Sequence, residues 1–217
     1  MARRRTAILI SGRGTNMTAL IAASMEPDYP AEISLVLSNR PEAPGLNRAS
    51  DMGLATDVVD HKAFETKPDF EAALTARLEA AGTDLICLAG FMRLVSEEFV
   101  DRWHDRLINI HPSLLPAFTG LNTHARALDA GVKLHGCTVH YVRAAMDNGP
   151  IIAQAAVPVL PGDTADTLGE RVLAAEHQLY PRALALVARE EVRVVDELVG
   201  CSEAPSEPPG LLMSLGD

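Results

Sequence analysis

Short apolar runs alternate with stretches of helical periodicity through the first half of the chain. Thr6 to Ile10, Ile33 to Leu37 and Ala55 to Val59 read as strands. The first ends at Ser11-Gly-Arg-Gly-Thr-Asn16 and the second at Ser38-Asn-Arg-Pro41, both turn-forming. Met17 to Ser24 and Leu46 to Met52 have helical character between them. Phe70, Leu74, Leu78 and Ala81 recur at spacings of three and four, one apolar stripe on a helix. Leu85 to Ala89 is continuously apolar, as in a strand buried on both faces. The alternation predicts an α/β fold: a Rossmann-like, doubly wound, mostly parallel sheet covered by helices. The second half differs. Leu107 to Ile110 is a short strand running into His111-Pro-Ser-Leu-Leu-Pro116, where two prolines forbid regular structure. Cys137 to Val142 and Ile151 to Val159 are longer strands joined by a turn-rich link, which predicts antiparallel pairing. A long helix over Thr164 to Glu190 follows, with Leu168, Val172, Ala175 and Leu179 facing inward and Pro181 a point for a break.

Composition narrows the class. The chain has 217 residues, enough for one sizeable domain with a real core, expected over 1–201. From Ser202 to Asp217, three prolines, two glycines and scattered acids predict a disordered tail. A formal net charge of −10 opposes non-specific nucleic-acid binding, which needs a positive surface. Apolar runs are strand-sized, so no membrane span is expected. Arg3, Arg4 and Arg5 precede too short an apolar run for a signal peptide, and a buried first strand is the better reading. Cys87, Cys137 and Cys201 lie far apart and read as reduced thiols, which points to the cytoplasm.

Three polar features carry candidate chemistry. The loop Ser11 to Asn16 joins a strand to a helix, where glycines admit a ligand and free N–H groups attract phosphate. A plain strand-to-helix turn would need the same glycines. A dinucleotide fingerprint is excluded, because its third glycine is Met17 and no acid ends the second strand. Asn109 and His111, two apart at the end of a strand, point the same way, although a histidine beside prolines is more often structural. Asp147 lies in Met146-Asp-Asn-Gly-Pro150, where an acid has no packing role, although Asp-Asn-Gly is also an ordinary turn. For metal, none of the seven histidines are at helical i, i+4 spacing. His135 and His140 would face opposite sides of one strand. No zinc site is expected, and no G-x-S-x-G elbow marks a serine hydrolase.

The ordered set of motifs resembles the phosphoribosylglycinamide formyltransferases. It comprises Ser11 to Asn16, Ala89-Gly-Phe-Met-Arg93, Asn109-Ile-His-Pro-Ser-Leu-Leu-Pro116, Gly120-Leu-Asn-Thr-His124, His135-Gly-Cys-Thr-Val-His140, Met146 to Pro150 and Glu176-His177. The match runs from about Thr6 to about Ala188. The resemblance implies that Asn109, His111 and Asp147 form a catalytic trio. It implies that Gly14, Thr15 and Asn16 hold the substrate phosphate, and Glu176 its ribose. Lys67, Met92, Arg93, Leu94, Val95 and Asn109 would contact the folate. Lys67 stands where the family often has arginine, and so loses the bidentate fork. Ala144 stands where an acid is common, Asn122 replaces a frequent histidine, and Leu115–Pro116 is a candidate cis bond.

The implied activity moves the formyl group of 10-formyltetrahydrofolate, a co-substrate, to the amine of phosphoribosylglycinamide, a step of purine biosynthesis with no metal. Asn109 and protonated His111 would donate to the developing oxyanion, with Asp147 favouring the charged imidazole and relaying the amine proton. The expected partners are small molecules, with no nucleic acid or membrane. Monomer and homodimer both stay open. Rivals on the same fold are a formyltetrahydrofolate hydrolase and a formyltransferase for initiator tRNA. A first strand beginning by Thr6 and an acidic chain ending soon after the long helix are expected to disfavour both. A non-catalytic nucleotide-binding module is the rival of another class.

Overall fold

A computed structural model describes residues 2–201; the predicted tail from Ser202 lies outside the described residues. The strands are β1 (Arg4–Ile10), β2 (Ala31–Ser38), β3 (Thr56–Val58), β4 (Leu85–Leu88), β5 (Leu107–His111), β6 (Leu134–Tyr141) and β7 (Ile151–Pro158). Among the described residues these form one sheet in the order β3-β2-β1-β4-β5-β6-β7. Pairing is parallel from β3 to β5 and antiparallel from β5 to β7. The expected mixed sheet is therefore the observed one. The inner strands of its parallel half are buried on both faces, which is why β1 and β4 read as unbroken apolar runs: Ala7 to Ile10, Ile86 and Cys87 are fully buried.

Six α-helices lie among the described residues: α1 (Thr15–Ser24), α2 (Pro44–Asp51), α3 (Lys67–Ala80), α4 (Glu97–Arg102), α5 (Thr123–Asp129) and α6 (Ala165–Ala188). Two apolar clusters form the core. In one, Met17, Leu20 and Ile21 of α1, Leu46 and Ala49 of α2, and Leu168, Val172 and Tyr180 of α6 pack on the sheet. In the other, Phe70, Leu74 and Leu78 of α3 join Phe99 and Trp103. The two clusters cover opposite faces. The start of α3 is fixed by Thr66, whose hydroxyl accepts from the Asp69 N–H, and by a proline in the first turn.

The long helix corrects one expectation. It runs unbroken through Pro181. One backbone bond is lost there, but the residues on either side stay helical because Tyr180, Ala183 and Leu184 are fully buried against the sheet. The Tyr29 hydroxyl also donates to the Pro181 carbonyl at 2.7 Å. Leu168 and Val172 face inward as expected, while Ala175 and Leu179 are only partly buried at its flank. Helices α4 and α5, and a hairpin of β8 (Val192–Val195) and β9 (Leu198–Cys201), were not expected. Among the described residues no helix is long and apolar enough to cross a membrane. Cys87 and Cys137 are free and buried, and burial pushes both thiols up to about 12.

Candidate active site

In a doubly wound sheet the crevice forms where the strand order reverses, here between β1 and β4. Ser11, directly after β1, staples the two connections. Its N–H donates to the Gly90 carbonyl, and its hydroxyl donates to Asn39 and accepts from the Met92 N–H at 2.8 Å. The next loop is shaped by glycine. Gly14 caps α1 at φ +68°, and the Gly45 N–H donates to the Gly12 carbonyl at 3.0 Å. A Cβ on Gly45 would meet the Gly12 oxygen at 2.9 Å and Ile10 Cδ1 at 2.5 Å. This holds α2 against the loop and leaves the first N–H groups of α1 unpaired within the helix.

A cleft of about 720 Å³ opens beside this crevice. Its lining includes Asn16, Met92, Arg93, Leu94, Val95, Asn109, His111, Asp147 and Glu176, so the expected catalytic, folate-segment and ribose residues converge. Gly14 and Thr15 are not lining residues, although their neighbour Asn16 is. Lys67 is not one either: its ammonium pairs with Glu71 at 3.9 Å. Glu71 is buried and accepts from the Ser96 N–H and hydroxyl at 2.8 and 2.5 Å, anchoring the far end of the Met92–Val95 segment. A more open groove between α1 and α6, lined by alanines together with Tyr29, His177, Gln178 and Arg182, lies away from this polar cluster.

His111 ends β5 and is 6% exposed. Its Nδ1 faces Asp147 Oδ2 at 3.5 Å, and its Nε2 donates to the Phe118 carbonyl at 3.0 Å. Both nitrogens therefore face acceptors, and the ring offers N–H to both only as imidazolium. Asp147 has φ +53°, which Asp tolerates, and its Oδ2 also accepts from the Gly120 N–H at 2.8 Å. Asn109 is held by His140, its neighbour across the β5–β6 ladder. His140 Nδ1 donates to the Tyr141 carbonyl at 2.8 Å, so its Nε2 accepts from Asn109 Nδ2 at 3.2 Å. Burial pushes His140 down, in keeping with a neutral ring. Asn109 thus keeps a second amide hydrogen for the cleft. The loop after His111 is tied by Thr138, which donates to the Ser113 carbonyl and accepts from the Leu115 N–H and Gln154. The Leu115–Pro116 bond is cis.

Across the cleft, Glu176 of α6 is 5% exposed and accepts from Asn16 Nδ2 at 2.7 Å. Burial pushes its carboxyl up, against the Asn16 hydrogen bond. Asn16 Oδ1 is buried without a hydrogen-bond partner. Among the described residues no group of His, Cys, Asp or Glu is arranged to hold a metal ion. As expected of opposite strand faces, His135 packs with His124 and Phe118 while His140 meets Asn109. The sequence reading missed Ser11, Thr138 and His140 as organisers of the site. Only His140 left a signal, in the polar pattern of β6.

Comparison with known proteins agrees with this architecture. A family model described as formyl transferase matches residues 4–184. The phosphoribosylglycinamide formyltransferase of Escherichia coli is 41% identical over 181 residues, 83% of this chain and 85% of that protein. The human trifunctional purine biosynthetic protein adenosine-3 is 47% identical over 88% of the chain, which spans only 19% of that longer protein. The crystal structure of phosphoribosylglycinamide formyltransferase from Brucella melitensis is 56% identical with a TM-score of 0.83, covering 86% of this chain and 96% of that one. The chain belongs to the formyl transferase family, among the phosphoribosylglycinamide formyltransferases.

Proposed function

We propose that the chain transfers the formyl group of 10-formyltetrahydrofolate to the amine of phosphoribosylglycinamide, a cytoplasmic step of purine biosynthesis. The observation that carries the proposal is the meeting of Asn109, His111 and Asp147, from two distant segments, in one cleft beside the glycine loop. In this reading, over a domain of residues 1–201, the N-terminal half binds the phosphorylated amine. Gly14, Thr15 and Asn16 bind its phosphate at the α1 N-terminus, where unpaired N–H groups suit an anion. Glu176 receives the ribose, with the unpartnered Asn16 Oδ1 beside it. The C-terminal half binds the folate against Met92, Arg93, Leu94 and Val95. Met92 and Leu94 are exposed, and suit the flat faces of the folate's aromatic rings. Lys67 contributes charge at longer range, through the Glu71–Ser96 anchor.

The amine attacks the formyl carbon, forming a C–N bond as negative charge moves to the formyl oxygen. The second amide hydrogen of Asn109 donates to that oxygen. The His111 ring adds positive charge, steadied by Asp147 and the Phe118 carbonyl. Collapse breaks the bond from the formyl carbon to folate N10. The proton lost by the amine passes to Asp147 and on to N10, leaving tetrahydrofolate and the formylated product. No metal is required by this balance.

A formyl-transfer assay with both substrates tests the assignment. Asp147→Asn should lower kcat about 10²–10³-fold with little change in affinity for phosphoribosylglycinamide. His111→Ala should lower it at least as far. Full kcat in either variant removes that residue from the reaction. Formate release by the wild type without formylated amine assigns hydrolysis instead.

A further inference from the structure

The loop that carries Asp147 starts far from the group it serves. Because β6 runs antiparallel to β5, its C-terminal end returns to the beginning of β5, where the Val142 N–H donates to the Leu107 carbonyl. His111 lies four residues further along β5, about 13 Å by strand rise. The five residue steps from Val142 to Asp147 can span at most about 18 Å. The segment therefore has limited slack, and the position of its foot decides where the carboxylate arrives.

That foot is held by Arg143. Its guanidinium donates to Asp105 at 2.8 Å and to both carboxylate oxygens of Glu197, at 2.8 and 3.3 Å. The side chain is only 14% exposed, and the residue also lines the cleft. Asp105 stands two residues before β5, the strand bearing Asn109 and His111, in the left-handed region at φ +53°. Glu197 lies in the turn between β8 and β9, also at positive φ. This hairpin follows the last residue matched by the family model. A planar fork shared by two carboxylates fixes direction as well as charge, which a single exposed pair does not.

Resting on the catalytic role given above to Asp147, we propose that Arg143 is a positioning residue. Bridging Asp105 and Glu197, it sets the approach of the Asp147 loop to His111 and makes the C-terminal hairpin part of the active-site apparatus. Arg143→Ala should lower kcat about tenfold while leaving the KM for phosphoribosylglycinamide within about twofold. Arg143→Lys, which keeps the charge without the fork, should recover part of that loss. Glu197→Gln, at the exposed end of the bridge, should cost about two- to threefold.

Steady-state kinetics on the full-length chain, in single variants and in the Asp147→Asn background, separate this role from general stability. Arg143→Ala should have almost no further effect on kcat once Asp147 is Asn. An undiminished tenfold loss in that background, unchanged kcat in Arg143→Ala, or a raised KM with normal kcat each overturns the proposal. If Asp147→Asn alone retains full kcat, the functional reading fails, whatever Arg143 does. Should Arg143→Ala fold poorly, Glu197→Gln and Asp105→Asn carry the same test: each must lower kcat alone and lose that effect when Asp147 is Asn.

Discussion

Buried histidines make individual residues of this protein sensitive to acid. His135 is 1% exposed, and burial, followed by repulsion from His124 and His111, pushes its imidazole down to about 4. The unfolded chain takes up that proton near pH 6.5, before the folded one does. Stability from this site is therefore complete above about pH 6.5 and lost progressively as pH falls from there toward 4. His124, His140 and His177, all pushed down by burial, act in the same direction. Urea unfolding at pH 7.5 and pH 5 should show His135→Phe losing on the order of 2 kcal/mol less than wild type between the two. At this scale the sequence was readable where a residue type had no structural excuse. His111 between a strand and two prolines, and an acid in the Asp147 turn, could be singled out as candidates, and their side chains meet in the cleft at 3.5 Å. Ser11 left no such signal, because its partner Met92 becomes a neighbour only through the fold, and the polar pattern of β6 that marked His140 could not name Asn109, which strand register brings opposite it.

Among the connecting elements, the loop from Pro112 to Ala117 depends on one hydroxyl from a neighbouring strand. Thr138 of β6 serves Leu115, Ser113 and Gln154 at once, inside the structure and away from water. Thr138→Val keeps the shape and strands a buried N–H and C=O. Guanidinium unfolding should show a loss of about 3 kcal/mol, more than one hydrogen bond is worth, because the cost of unmet partners adds to it. The inner strands β1 and β4 were legible because burial on both faces writes continuous apolar runs. Helices α4 and α5 were not, at six and seven residues too short to establish a periodic stripe. The β8–β9 hairpin escaped because its turn is Asp196–Glu197, both at positive φ, instead of the Asn-Gly or Asp-Gly pair that signals such a turn. Pro181 misled for the opposite reason: a strong local breaker was overruled by the packing on either side of it.

The molecule as a whole carries a formal net charge of −10, and the proposed amine substrate bears a phosphate. The mean field therefore opposes their encounter, while the attraction of the α1 N-terminus acts only within about a turn of the helix. Added salt screens the long-range term first. kcat/KM for phosphoribosylglycinamide should rise by about twofold between 20 and 150 mM salt, and a fall would assign control to a local positive site. Strand order was the part of the architecture that no local pattern could reveal, since apolar runs do not name their partners. It matters most for the glycine loop. Asn16 and Glu176 touch, yet 160 residues separate them. At a ribosomal rate of 5–20 residues per second, roughly 8–30 s pass between the emergence of the first and of the second. The earliest piece of the pocket to be made is thus the last to be completed. On the proposed reading, a nascent chain cannot hold the phosphorylated amine until α6 has left the ribosome.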